Sequence, residues 1–241
     1  MAFFEFKTRV SYDDIGDGMT LSLRGAIGMM QEAAIIHSDM IGYSINDVQR
    51  TQVIWMLVQW RVRMVGEAYW NEPLTVVTWP RTMERATSER DFKIIDEHGQ
   101  PVALGESVWV LVSAQTGRII RIPSHIKQAY DLTKERAIED PFEETAQDVP
   151  GVLTFSGRVC RRDIDTNHHM NNRVYLDYAF EALPQTVLSS SINEAVIRYR
   201  SQLVYGQDFQ CVYKNADGVN IVEIVGSDDH TIHASVMLRQ R

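Results

Sequence analysis

Apolar and polar positions along the chain fall into two alternating periods, and the order of those periods occurs twice. Residues Phe4–Val10 alternate as a short strand, the aspartate-rich run Asp13-Asp14-Ile15-Gly16-Asp17 follows, and Leu23, Ile27, Met30 and Ala34 then recur at the spacing of one helix face. Ser22 is placed to cap that helix and Gly42 to stop it. The same order resumes at Leu153–Arg162, passes through Asp163-Ile164-Asp165, and enters a helix striped by Leu176, Ala179, Phe180 and Leu183, capped by Asn171 or Asn172 and ended by Pro184. Strand-like runs come after each helix: Val53–Val65, Pro73–Arg81, Arg90–Asp96, Val102–Ser113 and Gly117–Ile122, then Glu194–Val204, Asp208–Asn215, Val219–Ser227 and Thr231–Arg239. Trp60, Val62 and Met64 alternate with Arg61 and Arg63, which predicts one buried face, and Glu97-His98-Gly99 and Asp217-Gly218 read as hairpin turns.

Each half is therefore expected to be one helix against an antiparallel sheet, an α+β class. A long central helix wrapped by such a sheet is the hotdog arrangement, and two tandem copies make a double hotdog. The halves are expected at residues 1–123 and 153–241. Between them, 124–152 lacks alternation, is bounded by Pro123 and Pro150-Gly151, and reads as an acidic linker made of a short acidic helix and a loop, with seven acids against three bases. Gly25 and Gly28 lie inside the first helix, where each costs about 1 kcal/mol relative to alanine, so a close approach to other backbone is expected there. Met29, Met30 and Met40 read as core packing, with an adaptable apolar pocket as the alternative.

Composition narrows the function classes. The 241 residues carry 24 bases and 32 acids, a formal charge of −8, which argues against non-specific nucleic-acid binding. No stretch approaches the ~18 apolar residues of a membrane helix, so no membrane insertion is expected. The start lacks the residue order of a signal peptide, and the two cysteines, Cys160 and Cys211, are too few for a disulfide framework. A cytoplasmic protein with two buried thiols is the expectation. Nineteen of the bases are arginines, so a local basic patch for an acidic partner stays open.

Phosphate-cradling glycine loops, nucleophile elbows and His-Glu-x-x-His are absent. The dense polar run is Arg161 to Asn172, between a strand and the second helix. Its Asp165, Asn167 and His169 stand at alternate positions and suit hydrolysis of an acyl bond: a carboxylate orients water, an amide donates to a carbonyl, and an imidazole moves a proton near neutral pH. Backbone N–H groups at the following helix start can polarise the same carbonyl. The plainer alternative is that these residues only build a turn and cap a helix. A metal held by Asp163, Asp165, His168 and His169 is a third reading, weakened because adjacent residues rarely converge on one ion. Arg161 and Arg162 either greet an anionic partner or end a strand in solvent, and Cys160 reads as core rather than nucleophile.

The run Asp163-Ile164-Asp165-Thr166-Asn167-His168-His169-Met170-Asn171-Asn172-Arg173-Val174-Tyr175 resembles the Asp-x-Asp-x-Asn-x-His-x-Asn-Asn-x-x-Tyr signature of the acyl-acyl-carrier-protein (acyl-ACP) thioesterases. The first half is similar to that family through Gln31-Glu32-Ala33-Ala34, Gly42, Trp55 and Ser107-Val108-Trp109-Val110-Leu111. The resemblance implies a double hotdog that hydrolyses the thioester of a fatty acyl chain on acyl carrier protein, without cofactor or metal. It assigns catalysis to Asp165, Asn167 and His169 and the acyl pocket to the first half, whose loop has Asp13, Asp14 and Asp17 but no Asn-x-His. The family's further acid, in a Tyr-Arg-x-Glu stretch, is replaced by Gln202 after Tyr199-Arg200-Ser201, and the cysteine that plant relatives place next is Leu203. Gln202 cannot be a general base but can hold water or a carbonyl by hydrogen bonds, so water is expected to be activated by His169 and Asp165. The competing expectations are an acyl-CoA thioesterase on the same fold and a hotdog protein that binds acyl chains without turnover. The tandem halves permit a monomer, and a homodimer through sheet edges or faces is compatible with the pattern.

Overall fold

Ten of the eleven strand-like runs form strands and the two periodic stripes form two helices in a computed structural model of the chain, which describes residues 3–141, 149–188 and 192–240. The chain divides into two units, 1–140 and 141–241. The first contains β1 Phe4–Arg9, α1 Leu23–Ile41, α2 Val48–Thr51, β2 Val53–Met64, β3 Pro73–Glu84, β4 Thr87–Ile95, β5 Pro101–Ser113 and α3 Ser124–Ala129. The second contains β6 Val152–Arg158, α4 Asn172–Glu181, α5 Gln185–Leu188, β7 Glu194–Tyr199, β8 Asp208–Ala216, β9 Val219–Gly226 and β10 Ile232–Arg239. All neighbouring strands within each unit are antiparallel, in the order β1-β3-β4-β5-β2 in the first and β6-β8-β9-β10-β7 in the second. The second order is the first with five added to every number, so the repeat seen in the sequence is a repeat of strand topology.

Helix α1 begins where Ser22 Oγ accepts the Gly25 N–H at 3.0 Å and ends at Gly42, whose φ of +83° suits a residue without a β-carbon. Its face of Leu23, Ala26, Ile27, Met30 and Ala33 is buried, as are Trp60, Val76, Phe92 and Ile94 of the sheet. Gly105 of β5 makes room for that face, since a β-carbon there would sit 2.5 Å from Met30 Sδ. Gly25 meets the expected backbone approach: a β-carbon would lie 2.5 Å from the Asp14 carbonyl oxygen and 2.9 Å from Asp14 Cα. Gly25→Ala is expected to lower stability by about 1–3 kcal/mol through overpacking, despite the better helix propensity of alanine, read as the shift of the urea midpoint.

In the second unit Asn171 Oδ1 accepts the Arg173 N–H at 3.0 Å and starts α4, which buries Tyr175, Leu176 and Ala179. Tyr178 packs edge-on against Phe209 of β8 at 4.6 Å between centroids. Met29 and Met30 are buried, but Met40, near the end of α1, is exposed.

Several expected boundaries move. Gly117–Ile122 makes one bridge, Val112 to Ile119, instead of a strand, because β4 occupies that edge of β5 as far as Val110. Strand β6 stops at Arg158, where the chain enters a 3-10 turn over Arg161–Asp163, and β7 stops at Tyr199. The first unit extends past residue 123 to Asp140. Helix α3 contains no acid, and the acids that follow hold the chain to the sheet: Glu135 to Lys93 at 2.8 Å, and Asp140 to Arg63 at 2.7 Å and Arg61 at 3.2 Å. The Trp79 indole donates to the Glu135 carbonyl at 2.9 Å, and the Ala137 N–H to Asp91 Oδ1 at 2.9 Å. The part of the acidic segment at 142–148 lies outside the described residues.

Candidate active site

Asp165, Asn167 and His169 share one tight loop between the 3-10 turn and α4. Ile164 and Met170 bridge its base, the Asp165 N–H donates to the His169 carbonyl at 2.9 Å, and the His168 N–H donates to the Asp165 carbonyl at 3.1 Å. Asp165 Oδ1 accepts the Asn167 N–H at 2.8 Å, an Asx turn that orients the carboxylate. His168 takes the left-handed conformation, φ +64°, and faces solvent as a turn residue. Asp165 and His169 are half-buried and Asn167 is exposed.

Asp163 belongs to the frame of this loop. Its buried carboxylate accepts the Cys160 N–H at 2.7 Å and the Tyr178 hydroxyl at 2.9 Å, which ties the turn to α4. Burial, then this bond, pushes the Tyr178 hydroxyl up to about 12. Asp163 and Asp165 thus spend their oxygens on separate partners, and among the described residues no group of three acids, histidines or cysteines is placed to hold a metal. Cys160, expected to be buried, is exposed, because it caps the 3-10 turn on the rim of the unit; Cys211 is buried and its thiol is pushed up to about 12.

Gln202 reaches the loop through its neighbour. Leu203 accepts the Met170 N–H at 2.7 Å and gives its own N–H to the Tyr175 hydroxyl at 3.1 Å. Tyr199 donates to the Asn172 carbonyl at 2.8 Å and packs edge-on to Tyr175 at 5.4 Å. Two buried phenols therefore brace the exposed Gln202 turn against α4 and the motif loop. Burial raises the Tyr175 hydroxyl to about 12, with the Asp165 charge adding to the shift, so it remains a neutral phenol. Tyr175 ends the signature run in the sequence, where no role follows from its type; its place at i+3 from the Asn172 helix start is the signal for this brace.

The first unit has the same loop without the chemistry. Ile15 bridges Leu21, the Gly16 N–H donates to the Thr20 carbonyl at 2.9 Å, Met19 sits at φ +60°, and the Leu21 N–H donates to the Ala68 carbonyl at 2.8 Å. Matching these bonds to those of the second unit sets Gly16 against Asp165, Gly18 against Asn167, Thr20 against His169 and Glu67 against Gln202. The turn forms without any of the three motif side chains. Their presence in the second unit is therefore not explained by turn building alone.

The family description "Acyl-ACP thioesterase N-terminal domain" matches residues 2–130, and "Acyl-ACP thioesterase C-terminal domain" matches residues 148–236. The chain belongs to the acyl-ACP thioesterase family. It is 25% identical over 245 residues to palmitoyl-acyl carrier protein thioesterase of Cuphea hookeriana, covering 87% of this chain and 58% of that one. It is 22% identical over 194 residues to oleoyl-acyl carrier protein thioesterase 2 of Arabidopsis thaliana, covering 73% of this chain and 53% of that one. The chain thus spans just over half the length of these relatives. Among solved structures, an acyl-ACP thioesterase from Bacteroides thetaiotaomicron superposes with a TM-score of 0.86 at 16% identity, covering 99% of this chain and 97% of that one. The 12:0-ACP thioesterase from Umbellularia californica gives 0.85 at 18% identity, covering 100% and 98%. The fold is the expected double hotdog. Among the described residues no helix is long and apolar enough to cross a membrane.

Proposed function

We propose that this thioesterase-family chain hydrolyses fatty acyl-ACP to free fatty acid and carrier protein, ending chain elongation. The observation that carries the reading is the internal comparison: one turn occurs twice, and only its second copy has a carboxylate, an amide and an imidazole at alternate positions. In this reading the second unit supplies the chemistry and the first unit the acyl pocket. Water attacks the thioester carbonyl directly. His169, oriented with Asp165, takes the proton from water as the C–O bond forms, and returns it to the sulfur as the C–S bond breaks. The Asn167 amide and the N–H groups at the start of α4 hold the oxyanion between these steps. Gln202 hydrogen-bonds the water or the carbonyl.

Carrier protein is supported as the partner by the charge around the motif. Arg161, Arg162 and Arg200 are exposed beside it in a chain of net charge −8, with Arg161 stacked over the Tyr205 ring at 4.7 Å. An acidic carrier and the phosphate of its phosphopantetheine arm both fit such a rim. Two unpaired cysteines support a reducing compartment, the cytoplasm.

The test is release of free thiol from a chain-length panel of acyl groups on carrier protein and on CoA. Faster turnover on carrier protein supports the reading, faster turnover on CoA assigns the substrate to CoA, and saturable acyl binding without turnover overturns hydrolysis. Gln202→Ala is expected to lower kcat about tenfold, the value of one hydrogen bond worth about 1.4 kcal/mol in the transition state. An unchanged kcat removes Gln202 from the site.

A further inference from the structure

A bulge in β10 places an imidazole against the hydroxyl of Ser201, the residue before Gln202. Pairing of β10 with β9 slips between Ile232 and Ala234 and leaves His233 as the extra residue. Its carbonyl turns to the end of β7 and accepts the Arg200 N–H at 2.8 Å and the Ser201 N–H at 3.3 Å, which is why β7 stops at Tyr199. Its ring is 6% exposed, and Nδ1 pairs with Ser201 Oγ at 2.8 Å. Nε2 of the same ring and Asp229 Oδ1 both lie over Gly226, in the space a β-carbon there would fill.

The first unit contains the same bulge without these groups. Val102 is the extra residue of β5 against β4, and its carbonyl accepts the Val65 N–H at 2.9 Å and the Gly66 N–H at 3.1 Å. Bond by bond, Val102 stands where His233 does, Gly66 where Ser201 does, and Glu67 where Gln202 does. The backbone clamp therefore forms with a valine and a glycine. An imidazole and a hydroxyl stand at these two positions in the unit that also carries Asp165, Asn167 and His169, where they add a side-chain bond the fold does not require.

We propose that Ser201 and His233 are positioning residues of the thioesterase site: their hydrogen bond fixes the turn at 200–203 so that Gln202 is held in one place against the motif loop. The inference rests on the hydrolytic reading above. Gln202 is flanked by two anchors, Ser201 on His233 and Leu203 on Met170, and Met170 directly follows His169. Removing the first anchor leaves the backbone clamp but loosens one side of the turn that carries Gln202. A misplacement of about 1 Å in such a group is enough to slow the reaction without weakening binding.

The experiment compares Ser201→Ala, Ser201→Thr and His233→Val, each in the native chain and in Gln202→Ala, by kcat and KM for thiol release and by thermal midpoint. Ser201→Ala and His233→Val are expected to lower kcat about three- to tenfold with KM within about twofold, the scale of one hydrogen bond. Ser201→Thr, which keeps the hydroxyl, is expected to recover most of kcat. In the Gln202→Ala background the same changes should alter kcat by less than about twofold, because residues acting through one another are not additive. Equal losses in both backgrounds, no rescue by threonine, or a lower thermal midpoint with unchanged kcat each overturn the proposal. Amide hydrogen exchange separates it from the function: Ser201→Ala should speed exchange at the Met170 N–H but not at the Leu21 N–H, which makes the matching bond in the first unit. If the native chain turns over no thioester, hydrolysis fails, and unchanged exchange at Met170 then overturns the positioning role as well.

Discussion

His169→Ala is expected to lower kcat for thioester hydrolysis about 10²- to 10⁴-fold, the usual span for loss of a general acid–base group. The imidazole is half-buried on a loop none of whose hydrogen bonds named above uses the His169 side chain, and the His169 carbonyl accepts the Asp165 N–H. Alanine keeps that carbonyl, and Thr20 of the first unit already occupies the equivalent position in the same turn. The loop should therefore persist and the thermal midpoint should move little. The loss should fall on kcat, with KM close to that of the native chain, because the proton is needed in the transition state and not for binding the acyl chain. A variant within threefold of native kcat would remove His169 from the chemistry and return the loop to turn building. A collapse of the thermal midpoint would instead assign the residue to the fold.

Acidification is expected to cost stability through His37. Its ring lies 6% exposed on α1, stacked on Phe4 at 5.3 Å and edge-on to Tyr130 at 5.8 Å. Arg90 Nη1 lies 3.0 Å from Nδ1, so the imidazole accepts and is held neutral. Burial first, and the Arg90 charge second, lower it from the ordinary 6.5 to about 4. Between those two values the unfolded chain binds the proton and the folded chain does not, so stability is full above pH 6.5 and falls as pH drops toward 4. The lowered value corresponds to about 3 kcal/mol at the acid end and about 2 kcal/mol by pH 5. Urea unfolding at pH 7.5 and pH 5.0 reads it, with His37→Gln as the reference that should lose that part of the slope. An equal slope in both proteins would mean that His37 takes up its proton equally in the folded and the unfolded chain.

The site was legible in the sequence to the extent that it is local. Asp165, Asn167 and His169 lie within five residues, and the bonds that close their turn on itself join residues at most eight apart, so residue type and spacing carry most of the information. Gln202 entered through the family resemblance alone, since its link to the loop, the Met170 to Leu203 bond, joins residues 33 apart. By residue type and spacing Asp163 fits a metal ligand or part of a signature. Its role as the brace to Tyr178 depends on a helix turn packing back over the loop.

The amino-acid sequence by itself determined the order of the strands and of the two long helices, the twofold repeat, the caps Ser22, Asn171 and Gly42, and the half that bears the Asp165, Asn167 and His169 motif. These are written in periods and capping residues that act within one turn of helix or one hairpin. Only the tertiary structure decided where the first unit ends, because residues 131–140 are held by Arg61, Arg63, Asp91 and Lys93 from strands far earlier in the chain. It also decided that Gly117–Ile122 stays a single bridge, that Cys160 is exposed, and that His233 and Val102 are the extra residues of matching bulges. Each of these depends on which edge a strand finds already occupied, a competition among distant segments that no local pattern encodes.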